Sequence, residues 1–467
     1  MKIEQIYTGC LAQGAYYIES NGEVAIIDPL REVGSYIAKA KEDGAKIKYI
    51  LETHFHADFV SGHVSLAQKT GAQIIYGPNA NPSFEAKIAK DNEVFTLGNI
   101  TLTALHTPGH TMESTTYLLK DEGGKEYAIF TGDTLFLGDV GRPDLAQKSV
   151  DMTQEDLAGI LFDSLRTKIM PLGDNITVYP AHGAGSACGK NMMKETVDNL
   201  GNQKKMNYAL RADMTKEEFI KEVTDGLAPP PHYFPLNVKL NKEGYEDVDK
   251  VMERVASKGM NPDAFEVAAN ETSAIVLDVR NQTEFVKGHV PRSIFIGIDG
   301  GFAPWVGALI ADVKQPILLV APEGRLEEVL TRLSRVGFDN TIGFLEGGIE
   351  AWKVAGKEID TIESISAQQF KNDIDQHKTF DVRKEGEYNS SHVEFAELTP
   401  LGNLNDHLAE FPKDDKFFIH CAGGYRSVIT SSILKSRSIH NMINVEGGMS
   451  AIEKTGVEIK TSACSKA

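Results

Sequence analysis

An internal repeat in the C-terminal half of the chain is the strongest constraint on its fold. Three short segments recur in the same order: Leu277-Asp-Val-Arg280 as Phe380-Asp-Val-Arg383, Gly288-His-Val290 as Ser391-His-Val393, and Leu345-Glu-Gly-Gly348 as Val445-Glu-Gly-Gly448. The first two recur at an offset of 103 residues and the third at an offset of 100. Ordered matches at a nearly constant offset predict two similar domains. We assign them to residues 260–358, called the first repeat, and residues 359–467, called the second repeat.

The residues before the repeats form a third region. A chain of 467 residues is too long for one ordinary core and is typical of about three domains. Of residues 1–240, those up to about residue 200 contain short strand patterns separated by Gly-containing turns and by helical patterns, a combination that predicts α/β layering. Examples of the strands are Ala15–Glu19, Val24–Asp28, Tyr49–Glu52, Gln73–Tyr76, Ile100–His106, Tyr127–Thr131 and Thr177–Tyr179, and examples of the helices are Glu32–Glu42 and Gly62–Lys69. From Met206 to about Gly259 the pattern is helical and charged.

Residues 241–259 are predicted to connect this region to the repeats. Just before them, Ala228–Pro235 reads Ala-Pro-Pro-Pro-His-Tyr-Phe-Pro. Proline lacks a backbone N–H and clashes with the preceding helical turn. The segment is therefore predicted to be a stiff loop with no helix.

Charge and cysteine content restrict the partners and the compartment. The net charge is −18, from 66 acidic and 48 basic residues, which argues against nucleic acid as a main partner because phosphate binding needs a basic surface. No apolar run reaches the roughly 20 residues that span a bilayer, so no membrane association is expected. Cys10, Cys188, Cys421 and Cys464 form no close-spaced pair, which predicts free thiols in a reducing cytoplasm.

Histidine and aspartate side chains follow several predicted strands of the first region. The segments are Thr53-His-Phe-His-Ala-Asp58, Thr107-Pro-Gly-His110, Thr131-Gly-Asp133 and Pro180-Ala-His182. Loops that follow strands gather at one edge of a layered fold, so these groups are expected to converge. Imidazole and carboxylate together suit zinc, iron or manganese. The sequence therefore predicts a metal site.

His-x-His-x-Asp, then Pro-Gly-His, Thr-Gly-Asp and Ala-His, in this order, resemble the motifs of the metallo-β-lactamase superfamily over roughly residues 1–240. The resemblance implies an αββα sandwich. Dinuclear members of the superfamily usually carry another histidine directly after the motif aspartate, where this chain has Phe59. A mononuclear site is therefore expected.

Within that superfamily, Thr-His-Phe-His-Ala-Asp, Gly138–Asp144 and the proline-rich loop are similar to segments of persulfide dioxygenases. The resemblance implies one Fe(II) per chain, bound by His54, His110 and Asp133 as two imidazoles and one carboxylate that leave open positions for O₂ and a sulfur substrate. The other implied roles are supporting groups that orient the ligands (His56, Asp58, His182), substrate-binding residues (Arg142, Tyr233) and a candidate relay thiol (Cys188).

The second repeat contains a candidate nucleophile. Phe417-Phe-Ile-His-Cys421 reads as a strand ending in cysteine, and Ala-Gly-Gly-Tyr-Arg426-Ser and an apolar helical pattern follow it. A thiol at a helix N-terminus, among backbone N–H groups and beside Arg426, is expected to have a lowered pKa and to stabilise an anionic persulfide. With Asp-Val-Arg upstream and Glu-Gly-Gly downstream, the motif resembles the rhodanese sulfurtransferases, which implies catalytic roles for Cys421 and Arg426.

The first repeat departs from this motif. Ala321 stands where the second repeat has Cys421, Glu323 enters the loop, and Leu326 replaces Arg426. Without a nucleophile, residues 260–358 are expected to be a catalytically inactive rhodanese-like domain used for packing or spacing.

The order of the three regions resembles bacterial fusions of a persulfide dioxygenase with rhodanese domains. It implies oxidation of a low-molecular-weight persulfide by O₂ to sulfite, coupled to sulfur transfer among sulfite, thiosulfate and persulfides in sulfide detoxification. A homo-oligomer is expected. Two alternatives stay open: a thioester hydrolase of the glyoxalase II type that uses a metal-bound hydroxide, and a non-oxidative sulfur-carrier scaffold.

Overall fold

The structure, a computed structural model, describes residues 1–147, 151–227 and 229–461. It consists of two compact units. The first comprises Met1–Val248 and Ser334–Gly337, and the second comprises Asp249–Leu333 and Phe338–Ala467. Both units mix helices with sheets, as the α/β prediction requires. None of the described helices is long and apolar enough to cross a membrane.

Two six-stranded sheets form the first unit. The strands of one sheet, in spatial order, are β1 (Lys2–Thr8), β2 (Gln13–Ser20), β3 (Glu23–Ile27), β4 (Lys46–Leu51), β5 (Gln73–Tyr76) and β6 (Lys87–Ile88). The strands of the other, also in spatial order, are β12 (Asp198–Asn199), β11 (Thr177–Pro180), β10 (Glu126–Gly132), β9 (Thr115–Lys120), β8 (Ile100–His106) and β7 (Glu93–Leu97).

The sheets pack face to face and helices cover their outer faces. Successive side chains of a strand point to opposite faces. On β2, Tyr16 and Ile18 accordingly join the core between the sheets, whereas Ala15 and Tyr17 join the core beneath the helices. Strands buried on both faces have nearly continuous apolar sequences, and these apolar runs are what allowed the strands to be predicted. The layering is that of an αββα sandwich.

Among the described residues of this unit, the α-helices are α1 (Gly34–Glu42), α2 (His63–Thr70), α3 (Gln154–Ser164), α4 (Leu200–Met206), α5 (Lys216–Thr224) and α6 (Phe234–Glu243). The prediction of a helix-free loop through Pro235 is wrong, because α6 begins at Phe234 with a proline in its first turn. A first-turn N–H has no partner within the helix, so proline is tolerated there.

The second unit confirms the repeat, since it contains two five-stranded parallel sheets of the same plan. The strands of the first, in spatial order, are β13 (Gly259–Met260), β17 (Thr341–Leu345), β16 (Ile317–Val320), β14 (Ile275–Asp278) and β15 (Ile294–Phe295). Those of the second are β18 (Ser364–Ile365), β23 (Met442–Val445), β22 (Phe417–His420), β19 (Lys378–Asp381) and β21 (Ala396–Leu398). β20 (Ser391–Val393) pairs with β24 (Ile459–Thr461).

Helices flank both of these sheets. Those of the first repeat and its approach are α7 (Val248–Ala256), α8 (Pro262–Glu271), α9 (Gln282–Phe285), α10 (Phe302–Leu309), α11 (Leu326–Arg335) and α12 (Gly348–Val354). Those of the second repeat are α13 (Ala367–Asp373), α14 (Glu385–Ser390), α15 (Leu404–His407), α16 (Tyr425–Ser436) and α17 (Gly448–Ile452). In each repeat a central strand leads through a short loop into a long helix, β16 into α11 and β22 into α16.

Candidate metal centre and candidate sulfurtransferase site

Buried histidine and aspartate side chains converge at one edge of the first unit. His54 follows β4, His110 follows β8, Asp133 follows β10 and His182 follows β11. β10 and β11 run parallel, so the loops after them leave the sheet at the same end. The sequence prediction that these loops bring the side chains together agrees with this geometry.

His54, His110 and Asp133, the first ligand set, are buried, and their ligand atoms lie within 4.8 Å of one another. The Oδ2 atom of Asp133 is 3.8 Å from His54 Nε2 and 3.4 Å from His110 Nε2. Within the described part of the chain, neither carboxylate oxygen of Asp133 has a hydrogen-bond partner. A buried, unpartnered carboxylate is costly unless a cation or donor satisfies it, so this set fits a metal ion.

Hydrogen bonds to the Nδ1 atoms set the orientation of both imidazoles. His110 Nδ1 lies 2.8 Å from the backbone carbonyl oxygen of Arg142. A carbonyl oxygen only accepts, so Nδ1 carries the proton and Nε2 presents its lone pair. His54 Nδ1 lies 3.0 Å from Thr53 Oγ1. Burial, and then the neighbouring histidines, hold the pKa of His54 well below its ordinary value, which favours the neutral form that binds metal.

His56, Asp58 and His182, the second ligand set, are also buried, and their ligand atoms lie within 4.8 Å of one another. His182 Nε2 is 3.4 Å from Asp58 Oδ2 and 3.5 Å from Asp133 Oδ1. The ring of Phe59, which replaces the histidine expected in a dinuclear site, packs against His56 at 4.4 Å between ring centroids. The second set therefore has three groups of its own, and one of them, His182, also lies beside Asp133.

A carboxylate that the sequence interpretation overlooked orients His56. His56 Nε2 lies 3.1 Å from Oδ1 of Asp28, the residue directly after β3. Burial alone lowers the pKa of His56, but Asp28 and then Glu52 raise it to about 9. The same Asp28 carboxylate accepts hydrogen bonds from the Thr53 backbone N–H and from the Thr53 hydroxyl. Asp28 thus contacts both Thr53, the residue before the His-x-His segment, and His56, its last residue.

The candidate sulfurtransferase site lies in the loop between β22 and α16. Cys421 is buried, and its Sγ accepts a hydrogen bond from the backbone N–H of Gly424 at 3.1 Å. The Cys421 thiol lies 3.6 Å from Ser427 Oγ. Gly424 has φ of 95°, a conformation that favours glycine, and α16 begins directly after it. The loop therefore provides the backbone donor that the sequence predicted.

Arg426 is held by a partner that the sequence did not reveal. Its guanidinium makes two hydrogen bonds to the Glu387 carboxylate, at 2.6 and 2.8 Å. This pairing lowers the pKa of Glu387 to about 2. A bidentate pair fixes the plane of the guanidinium, so Arg426 lies near Cys421 in one defined orientation.

Profiles of two families match the three regions. The metallo-β-lactamase superfamily matches residues 8–182, and the rhodanese-like domain matches residues 261–355 and 366–455. A crystal structure of a metallo-β-lactamase from Staphylococcus aureus subsp. aureus COL is 31% identical to the chain with a TM-score of 0.64, and the match covers 73% of this chain and 98% of that chain. The chain belongs to the metallo-β-lactamase superfamily. Two rhodanese-like domains follow its metallo-β-lactamase domain, as predicted.

Relatives of the metallo-β-lactamase domain carry two different activity names. "Persulfide dioxygenase ETHE1, mitochondrial" from Mus musculus is 28% identical over 221 residues, 47% of this chain and 78% of the relative. "Hydroxyacylglutathione hydrolase cytoplasmic" from Arabidopsis thaliana is 36% identical over 147 residues, 30% of this chain and 56% of the relative. The chain thus spans just over half the length of this hydrolase. An oxidation and a hydrolysis are both represented among the relatives.

Tyr233 and Cys188 adjoin the metal-binding residues of the metallo-β-lactamase domain. Burial raises the pKa of the Tyr233 hydroxyl, and the nearby Asp58 and Cys188 raise it further. The Cys188 sulfur lies within 4.8 Å of ligand atoms of Asp133 and His182. Burial, then Asp58 and Asp133, raise the pKa of the Cys188 thiol well above its ordinary value. The substrate-binding and relay roles predicted for these two residues stay predictions.

Arg142 has a resident partner. Its guanidinium pairs with the Asp144 carboxylate through bonds of 2.6 and 2.7 Å, and it donates to the Ala187 carbonyl at 3.2 Å. An anionic substrate would have to compete with Asp144 for this group. The backbone carbonyl of Arg142, which orients His110, is a contribution that the sequence did not reveal.

Asn241 on α6 is a further positioning residue absent from the sequence interpretation. Its amide nitrogen donates to the carbonyls of His56 and Phe59, each at 2.8 Å, and its carbonyl accepts from the Ser61 N–H at 2.8 Å. These bonds fix the backbone of the His-x-His-x-Asp loop. Cys464 lies outside the described residues.

Proposed function

We propose that the chain is an iron-dependent persulfide dioxygenase joined to a sulfurtransferase. The metallo-β-lactamase domain would convert R–S–SH, O₂ and water into R–SH, sulfite and two protons. The observation that carries the proposal is the first ligand set, because two imidazoles and one carboxylate are the ligands of many oxygen-activating Fe(II) sites. The mouse persulfide dioxygenase similarity supports the same reaction class.

His54, His110 and Asp133 would hold one Fe(II), and the metal would supply the binding and activation of O₂ when present. The protein contributes the arrangement around it. The Arg142 carbonyl and Thr53 hydroxyl orient the imidazoles, and the near-complete burial of all three ligands restricts water. Tyr233 and Arg142 would contact the persulfide or its thiol carrier.

Sulfur transfer would occur at Cys421. The thiolate would attack the outer sulfur of thiosulfate, forming an S–S bond to Cys421 as the S–S bond of thiosulfate breaks and sulfite leaves. The Gly424 N–H would stabilise the anionic sulfur. A thiol or sulfite would then accept the transferred sulfur. Because sulfite is also the product of the oxidation, one tethered chain would raise the local concentration of the shared intermediate.

A thioester hydrolase is the second candidate. The second ligand set beside Asp133 Oδ1 and the similarity to a hydroxyacylglutathione hydrolase favour it. A hydrolase of this type would use two metals and a metal-bound hydroxide. Phe59 argues for the oxidation, since it replaces a histidine that would bind the second metal. Cys421 argues for it as well, since hydrolysis of a thioester does not require a sulfurtransferase.

Metal content and O₂ uptake separate the candidates. We expect purified protein loaded anaerobically with Fe(II) to retain one iron per chain and to consume O₂ with at least one of the persulfides of glutathione, coenzyme A and bacillithiol. Sulfite should form in a 1:1 ratio to O₂ consumed. Two zinc ions per chain with hydrolysis of a glutathione thioester would replace this proposal with the hydrolase. Iron retention without O₂ uptake would favour a non-oxidative sulfur carrier.

A further inference from the structure

Tyr425 ties the Cys421 loop to the first repeat. It is the first residue of α16 and directly follows Gly424, whose N–H points to the Cys421 sulfur. The Tyr425 hydroxyl donates a hydrogen bond to the backbone carbonyl of Gly297 in the first repeat at 2.6 Å. Its ring also packs edge-on against Phe295 at 5.7 Å between centroids.

The same face of α16 makes further contacts with the first repeat. Ser432 lies two helical turns after Tyr425, and its hydroxyl oxygen accepts a hydrogen bond from the Phe295 backbone N–H at 2.9 Å. Phe295 belongs to β15, the edge strand of the first-repeat sheet. An edge strand has backbone groups without a strand partner on one side, and α16 satisfies one of them. The helix that begins at the thiol loop therefore rests on the other domain.

Gly300 in the first repeat leaves room for the Tyr425 ring. A Cβ atom at this position would lie 2.8 Å or less from three carbons of that ring. Gly300 is not among the residues with positive φ, so its backbone conformation permits alanine. The added Cβ would clash with the Tyr425 ring. At the adjacent Gly301, a Cβ would meet only the Trp305 side chain, at 3.3 Å.

We propose that the first repeat, although it has no nucleophile, is a positioning component of the Cys421 site. It holds Tyr425 through Gly297 and Gly300, and Tyr425 fixes the C-terminal end of the loop whose Gly424 N–H points at the sulfur. The inference rests on the proposed sulfurtransferase role of Cys421. It assigns the first repeat a part in sulfur transfer beyond packing or spacing.

The experiment compares Gly300→Ala with Gly301→Ala in the full-length chain. Two quantities are measured: the rate at which iodoacetamide alkylates Cys421, by mass spectrometry of its peptide, and thiosulfate-dependent sulfur transfer. We expect both rates to fall about 10- to 100-fold in Gly300→Ala, because a small misplacement of a positioned group has effects of this size. Gly301→Ala should stay within about 2-fold of wild type, the change that a minor shift of α10 would give.

Tyr425→Phe provides the second variant. It keeps the ring and removes the hydroxyl, so transfer should fall about 5-fold, the effect of losing one hydrogen bond of ordinary strength. This variant decides the matter if Gly300→Ala does not fold. Melting temperature and iron content are the folding controls, since neither depends on sulfur transfer.

Wild-type alkylation and transfer rates that Gly300→Ala and Tyr425→Phe both retain would overturn the inference. Absence of transfer in the wild-type protein would instead refute the proposed function. In that case the alkylation rates alone still decide whether the first repeat positions the Cys421 loop.

Discussion

The two rhodanese-like repeats have the same sheet order and the same strand–loop–helix arrangement, yet only one contains a thiol site. β16 leads into α11 through a loop with Gly324 at φ of 73°, and β22 leads into α16 through a loop with Gly424 at φ of 95°. Ala321 stands at the position of Cys421. In the first repeat, Arg325 is paired with Asp299 and Glu328. The first repeat therefore has the same loop backbone as the second but lacks its candidate nucleophile.

The segments that define the repeat in the sequence are structural. Asp278 and Arg280 form a buried ion pair at 2.6 Å, and Asp381 and Arg383 form its counterpart at 2.7 Å. In each repeat the arginine also donates to the backbone carbonyl at the next matching segment, Gly288 or Ser391. The comparison shows that the fold is maintained by residues shared between the repeats, and that the candidate chemistry lies in the few loop residues that differ.

The largest expected effect concerns the nucleophile. Cys421→Ser should abolish thiosulfate-linked transfer, because a serine hydroxyl is a far weaker nucleophile than a thiolate near neutral pH. Adding Ala321→Cys to that variant should not restore transfer, because Leu326 gives the first repeat no counterpart of Arg426. Mass spectrometry should show one added sulfur atom on the Cys421 peptide of wild type only. Persulfide on a cysteine at position 321 would break the distinction between the repeats.

The second prediction concerns stability, and the expected loss of stability is similar in the two repeats. Asp278→Asn and Asp381→Asn should each destabilise the second unit by about 3–5 kcal/mol, because each leaves a buried arginine without its partner. Chemical denaturation would measure this. Glu397→Gln, which breaks an exposed pair with Lys378, should cost less than about 1 kcal/mol. If the variant in the first repeat were neutral, the shared segment would not have the structural role given to it here.

The smallest expected effect is a pH dependence that only the second repeat should have. Arg426 lowers the pKa of Glu387 from 4.5 to about 2. Because the folded-state pKa is depressed, the stabilisation from this pair is complete above pH 4.5 and is lost as the pH falls through about 2. The stability difference between wild type and Glu387→Gln should therefore shrink on acidification from pH 6 to pH 3. It should not exceed about 1 kcal/mol, since the pair is partly exposed.

Glu284 supplies the matched control for that pH dependence. It occupies the position of Glu387 at the offset of 103 residues, while Leu326 replaces the arginine. Glu284→Gln should show no comparable change between pH 6 and pH 3. An equal change in both variants would mean that the Arg426 pair is not its source.

Much of the metallo-β-lactamase domain was predictable from local patterns. The predicted strands Gln73–Tyr76 and Ile100–His106 have the bounds that the structure gives them, because buried apolar runs ended by turn residues are legible in sequence. The ligand candidates could be predicted for a similar reason, since each lies in the loop that follows a strand. Gly424, the αL glycine in the loop after Cys421, was also part of a recognisable sequence motif.

The groups that support these residues were not predictable in the same way. Asn241 binds the carbonyl of His56 from 185 residues away, and Tyr425 binds the carbonyl of Gly297 from 128 residues away. Such contacts depend on tertiary packing and produce no local periodicity. Glu387 is 39 residues from Arg426, and the repeat alone gave no sign that the two would pair.

O₂ uptake with glutathione persulfide by iron-loaded wild type, Cys421→Ser and Asp133→Ala tests the central claim most directly. Wild type and Cys421→Ser should consume O₂ at equal rates, because the proposed iron ligands belong to the metallo-β-lactamase domain and Cys421 to a rhodanese-like repeat. Asp133→Ala should bind no iron and should consume no O₂. Loss of O₂ uptake in Cys421→Ser, or full uptake with bound iron in Asp133→Ala, would contradict this account.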